Sequence, residues 1–81
     1  MSAAIRVRYF AAAAEAAAVD EERLEAANVR ELKEIMIHRH GPQLERVLTA
    51  CSFLVEGAAA HDEAPIPAGG TVDVMPPFAG G

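Results

Sequence analysis

A chain of 81 residues and 8.5 kDa holds one small domain, with no room for a second core or a large catalytic cleft. Eighteen of its 42 hydrophobic residues are alanine, which leaves 24 larger apolar side chains, enough for a single compact core. Seven basic against 12 acidic residues give a net charge of −5, which argues against phosphate-backbone binding as the main task.

The opening Met1-Ser2-Ala3-Ala4-Ile5-Arg6 lacks the basic-then-apolar pattern of a secretory signal. Ile5-Arg6-Val7-Arg8-Tyr9 alternates apolar and charged residues, the period of a strand with one face on a core. Phe10 breaks the alternation, so either Tyr9 or Phe10 faces outward. Ala11 to Ala18 favours helix by propensity, but it is too short to stand without tertiary contacts. Val19 to Ala26 reads as an edge strand, with Leu24 inward and Glu21, Arg23 and Glu25 in water. Asn28 is placed to cap a helix, with Glu31 three residues on, and Val29, Leu32, Ile35 and Met36 recur at helical spacing. Gly41-Pro42 stops that helix. Leu44, Val47 and Leu48 suggest a second, shorter one ending near Ala50.

Cys51 is the single cysteine, which excludes an internal disulfide and suits a reducing cytoplasm. Ser52 to Val55 is a short apolar strand, and Glu56-Gly57 turns it into Ala58-Ala59-Ala60. Asp62 to Gly70 is a loop whose large apolar residue, Ile66, is expected to plug the core. Thr71 to Met75 alternates again as a final strand, and Pro76-Pro77 ends it because proline cannot donate to a sheet ladder. No run reaches the ~20 apolar residues of a membrane span, and no basic stripe for nucleic acid or basic amphipathic face for a membrane is seen. The expectation is an α+β roll, a mixed sheet with helices on one side.

Side-chain chemistry is sparse. His38, His40 and His61 read as surface histidines without metal, and Asp20-Glu21-Glu22 as a solvated edge. Cys51 behaves as a small hydrophobe unless a base or helix terminus lowers its pKa. Neither a phosphate-binding loop nor a credible Ser-His-Asp arrangement is present. The exceptional segment is the end, Met75-Pro76-Pro77-Phe78-Ala79-Gly80-Gly81. Its six Cα steps reach up to ~20 Å when extended. Glycines without side chains can thread a narrow channel in a partner. A terminal carboxyl, with an ordinary pKa of about 3.3–3.7, is an anion and a poor electrophile, so attack on it requires activation with ATP.

The sequence resembles the small subunit of molybdopterin synthase (the MoaD family), among the ubiquitin-like β-grasp sulfur carriers. Val7 to Ala12 matches that family's first strand and short helix, and Asn28 to Leu32 the start of its main helix. Val55-Glu56-Gly57 resembles its Val-Asn-Gly turn. The specific match is the terminal pattern of two prolines, two variable residues and Gly80-Gly81. Three departures stand out: Glu56 for asparagine, Gly69-Gly70-Thr71 for an acidic Gly-Asp-Glu, and no arginine in Ala12-Ala13-Ala14.

The resemblance implies a β-grasp domain over 1–75, a sheet of about five strands with one main helix, and a flexible Gly-Gly tail over 76–81. It implies a non-catalytic subunit with no bound cofactor or metal. An E1-like adenylyltransferase uses ATP to adenylate Gly81, and a sulfur donor protein converts it to a thiocarboxylate. The tail (Pro76, Pro77, Phe78, Ala79, Gly80) then enters the large subunit of the synthase, in a heterotetramer of two small and two large chains. There the sulfur passes to precursor Z in molybdenum cofactor synthesis. Phe10, Met75 and Phe78 are the implied apolar docking surface. The alternatives are a carrier for thiamine or cysteine synthesis or a ubiquitin-like protein modifier, and a plain β-grasp binding module. The Pro-Pro pair favours the first reading, since thiamine carriers usually lack it.

Overall fold

The computed structural model describes residues 4–77. The tail residues Phe78, Ala79, Gly80 and Gly81 lie outside the described residues. In chain order the elements are β1 (Ile5–Tyr9), α1 (Ala12–Ala17), β2 (Glu21–Leu24), α2 (Val29–His40), α3 (Pro42–Leu48), β3 (Ser52–Val55), β4 (Ala58–Ala60) and β5 (Thr71–Met75). The strands form one mixed sheet in the order β2-β1-β5-β3-β4. β1 and β5 run parallel, and the other neighbours are antiparallel. The α+β expectation, with five strands and one main helix, holds.

The period-two pattern decides which face is buried. Ile5, Val7 and Tyr9 of β1, Val72 and Val74 of β5 and Phe53 of β3 point to one side and are at most 3% exposed. The helices cover that side through Ala13 and Ala17 of α1, Val29, Leu32 and Met36 of α2, and Leu44 and Leu48 of α3. Each large apolar side chain buried there contributes about 1.5–3 kcal/mol, the main force holding so small a domain. Ile66 plugs this core as expected, and its N–H donates to the Ala27 carbonyl at 2.9 Å.

The capping residues work nearly as read. Asn28 Oδ1 accepts from the Glu31 N–H at 2.8 Å, while Glu31 Oε1 accepts from Ala27 N–H at 2.7 Å, one residue before the cap. Gly41 joins α2 to α3 at φ 87°, a conformation that favours glycine, and Pro42 opens α3. Two boundaries differ from the sequence reading. The alanine helix is trimmed at both ends, because Ala11 (φ 50°) and Ala18 (φ 64°) both leave helical space. β2 is only the four residues Glu21–Leu24, shorter than the expected Val19 to Ala26. Tyr9 is the inward residue, and Phe10 is half-buried.

Candidate functional site

β5 is the central strand, and its parallel pairing with β1 brings both C-terminal ends to the same end of the sheet. On one flank the Phe10 N–H donates to the Val74 carbonyl at 3.2 Å, extending the ladder by one rung. On the other, antiparallel β3 places Ser52 opposite Met75, with Cys51 just beyond. Pro76 is buried and Pro77 exposed. Neither has an N–H, so the ladder cannot continue and the chain must leave the sheet here. Met75 and Phe10, both half-buried, therefore border the end of β5. Phe78, the third implied docking residue, lies outside the described residues, as do Ala79, Gly80 and Gly81.

The backbone beside the exit is strained. Ala11 sits at φ 50°, ψ −124°, and the Ala13 N–H donates to the Phe10 carbonyl at 3.0 Å, closing a tight turn that suits glycine at the Ala11 position. Arg8 reinforces the same corner from the outer face. Its Nε and Nη2 donate to Asp73 Oδ1 and Oδ2 at 2.6 and 2.9 Å, and its guanidinium carbon is 5.8 Å from the Phe10 ring centre. The Asp73 hydrogen bond and charge raise the Arg8 pKa above its ordinary value.

A polar cluster underlies this corner on the inner side. Glu22 accepts from the Tyr9 hydroxyl at 2.6 Å and lies 2.6 Å from His40 Nε2 and 3.0 Å from Arg39 Nε. Its side chain is 11% exposed. Burial pushes the Glu22 carboxyl up, but the hydrogen bonds from Tyr9 and His40 and the charges of His40 and Arg39 outweigh it, so its pKa falls. Burial, then the Glu22 hydrogen bond, raise the Tyr9 phenol. This corrects two expectations: His40 is not a plain surface histidine, and Glu22 is not part of a solvated edge. The period-two pattern of β2 places Glu22 on the same side as Leu24, and that signal was visible in the sequence. Its partners come from the end of α2, which the sequence did not place.

The third flank is less reactive than it looks. Cys51 Sγ–H donates to the Val47 carbonyl at 3.2 Å, and burial raises its pKa, with Lys33 pulling weakly the other way. Lys33 and Phe53 line a groove of roughly 520 Å³ alongside Cys51, Ser52 and His61. Its cations are occupied, since Lys33 Nζ lies 2.6 Å from Asp62 and Arg30 pairs with Glu63. Among the described residues, no group of three or more His, Cys, Asp or Glu side chains could hold a metal ion. Nor is any helix long and apolar enough to cross a membrane. The arrangement is a packed sheet corner at which β5 ends at Pro76-Pro77.

Comparison with known proteins agrees with that geometry. The ThiS family profile matches residues 7–81. A putative molybdopterin converting factor subunit 1 from Pyrococcus furiosus is 29% identical, with a TM-score of 0.79, covering 94% of this chain and 99% of its own. The small archaeal modifier protein 1 of Haloferax volcanii is 25% identical at a TM-score of 0.81, over 94% and 99% of the two chains. A complex of subunits 1 and 2 of the molybdopterin-converting factor from Helicobacter pylori shares the fold at 22% identity and a TM-score of 0.74, over 96% and 99%. No curated protein matches the sequence.

Proposed function

The chain belongs to the ThiS family, and from that premise we propose that it is the sulfur carrier subunit of a molybdopterin synthase. Its fold is the ubiquitin-like β-grasp of ThiS/MoaD-like sulfur carriers and small modifiers. The observation that carries the finer reading is the chain end: the central strand stops at Pro76-Pro77, and the sequence continues Phe78-Ala79-Gly80-Gly81.

The chemistry follows from the carboxyl group. An E1-like adenylyltransferase joins the Gly81 carboxylate to AMP, releasing pyrophosphate from ATP. Sulfur from a donor protein displaces AMP and leaves a thiocarboxylate. The large subunit then admits the tail, and the thiocarboxylate sulfur bonds to a carbon of precursor Z as an oxygen leaving group departs. Water hydrolyses the resulting thioester, so the sulfur stays on the acceptor and Gly81 returns to a carboxylate. The protein itself catalyses no step, and two copies work with two large subunits in the cytoplasm. Phe10 and Met75 at the exit, with Phe78, supply the apolar contact to the partner, as partly exposed apolar side chains at an exit suit docking. Similarity to the Pyrococcus furiosus molybdopterin converting factor subunit supports this pathway.

A second reading has its own support in the Haloferax volcanii modifier protein: the activated Gly81 is attacked by an amine of a target protein instead of by sulfur. Reconstitution with the activating enzyme, ATP, sulfur donor, large subunit and precursor Z separates the two. Molybdopterin formed by the full chain, and lost on deletion of Gly81, supports the carrier. Isopeptide adducts without molybdopterin support the modifier.

A further inference from the structure

The chain has a single lysine, and the fold places it at the end of the sheet where β5 stops. Ser52 of β3 lies opposite Met75, and Phe53 follows it. Lys33 Nζ of α2 stands 4.9 Å from the centre of the Phe53 ring, in the groove that Ser52, Phe53 and Ala60 line. By that route the amine is no more than ~18 Å from the Met75 Cα. The Cα steps from Met75 to Gly81 reach up to ~20 Å when extended, so the last carbonyl carbon can meet the chain's own lysine. Asp62 holds that amine, accepting from Lys33 Nζ at 2.6 Å. Its position is fixed by the backbone, since the Arg30 N–H in the first turn of α2 donates to the Asp62 carbonyl at 2.9 Å. Lys33 follows Arg30 by three residues, on the same face of the helix. The Lys33 hydrogen bond and charge keep the Asp62 carboxyl below its ordinary pKa. An ammonium donating to a carboxylate has no lone pair to offer an acyl carbon.

We propose that Lys33 is an acylation site for the chain's own activated Gly81, and that Asp62 restrains it. The Lys33 amine, once neutral, attacks the Gly81 acyl carbon. A C–N bond forms as the bond to the leaving group, AMP or a thiol, breaks, and the amine proton goes to solvent. The product is a lactam one water lighter than the free chain, and its end can no longer take sulfur. Self-acylation and sulfur delivery therefore compete for one acyl carbon. Attack within one molecule is favoured over attack between two, because a short tether supplies a millimolar effective concentration. Cys51 lines the same groove, but its thiol donates to the Val47 carbonyl at 3.2 Å and burial raises its pKa, which leaves little thiolate to compete. The inference rests on the carrier reading for the enzyme that activates Gly81, whereas an end activated chemically needs no such enzyme.

The test takes the full chain, released from an intein fusion as its Gly81 thioester, and incubates it in mildly alkaline buffer without enzyme. Intact mass is expected to show loss of the thiol from a monomer, and peptide mapping a bond between Lys33 and Gly81. Lys33→Arg, which keeps a cation beside Asp62, should leave hydrolysis alone. Asp62→Asn should speed lactam formation about 2- to 5-fold, the scale of a partly exposed ion pair, and Asp62→Glu should return it to the slow rate. A hydroxylamine-labile bond to Cys51, a bond to the N-terminal amine, covalent dimers, or hydrolysis alone in the wild type would overturn the site. An Asp62→Asn rate no faster than wild type would remove Asp62 as its restraint. Absence of pyrophosphate release with an E1-like enzyme and ATP would defeat the carrier reading, and the thioester would still decide Lys33.

Discussion

On β1 the inward residues Ile5, Val7 and Tyr9 are at most 3% exposed, whereas Arg6 and Arg8 keep 46% and 41% of their side-chain surface in water. The two faces of one sheet thus meet opposite demands. Inside, apolar residues fill the space under the helices, and the polar intruders Tyr9, Glu22 and His40 satisfy one another. Outside, charges are tolerated in an arrangement that packing does not require, with Arg6 facing Arg23. The inner face holds the domain together, and the outer face carries the solvated ion pairs. The exit of β5 lies where the two meet.

The largest expected effect is on the inner face. Leu32→Ala should lose about 2–5 kcal/mol in urea unfolding, since Leu32 is fully buried under the sheet. A loss no larger than for a surface residue would break the contrast between the faces.

The inner polar cluster comes next. Glu22→Ala should cost about 1–3 kcal/mol by stranding the Tyr9 hydroxyl and His40. The Glu22 pKa is depressed in the fold. Its stabilisation is therefore complete above the unfolded carboxylate pKa of about 4.3 and is lost as pH falls through the lower folded value. Acid titrations of wild type and Glu22→Gln should accordingly converge at low pH. A gap that persists there would remove the carboxylate from the account.

A smaller gain is expected at the exit. Ala11→Gly should stabilise the fold by about 0.5–1 kcal/mol, the relief of a positive φ less the extra chain entropy of glycine. Thermal unfolding of that variant checks it, and a destabilised protein would mean the turn is not strained. Smallest is Arg23→Gln, worth about half a kcal/mol or less in its favour. The Tm shift should change sign relative to the inner-face variants.

These differences also explain what could be read from sequence. Ile5 to Tyr9 and Thr71 to Met75 announced their faces by strict alternation, and Asn28 with Glu31 announced a helix start, because these signals are local. Arg6 and Arg8 could be placed on one face by the same rule. That Arg23 joins them depends on the β1–β2 register, which no local pattern fixes. The inward side of Glu22 was readable from its alternation with Leu24, but its partners His40 and Arg39 lie at the far end of α2, which no local pattern brings beside it. The strained turn at Ala11 was hidden differently: alanine carries no mark of positive φ, whereas the glycine at position 41 does. The terminal motif was legible because it is chemistry written in covalent order, and it needs no folding to be recognised.

The central claim is that the last glycine carries sulfur. The most direct measurement is the intact mass of the full chain after incubation with an E1-like adenylyltransferase, ATP and a sulfur donor, beside a chain lacking Gly81. The account predicts replacement of one terminal oxygen by sulfur in the full chain and no change in the truncated one. An unchanged full chain in the presence of a demonstrably active activating enzyme would contradict it.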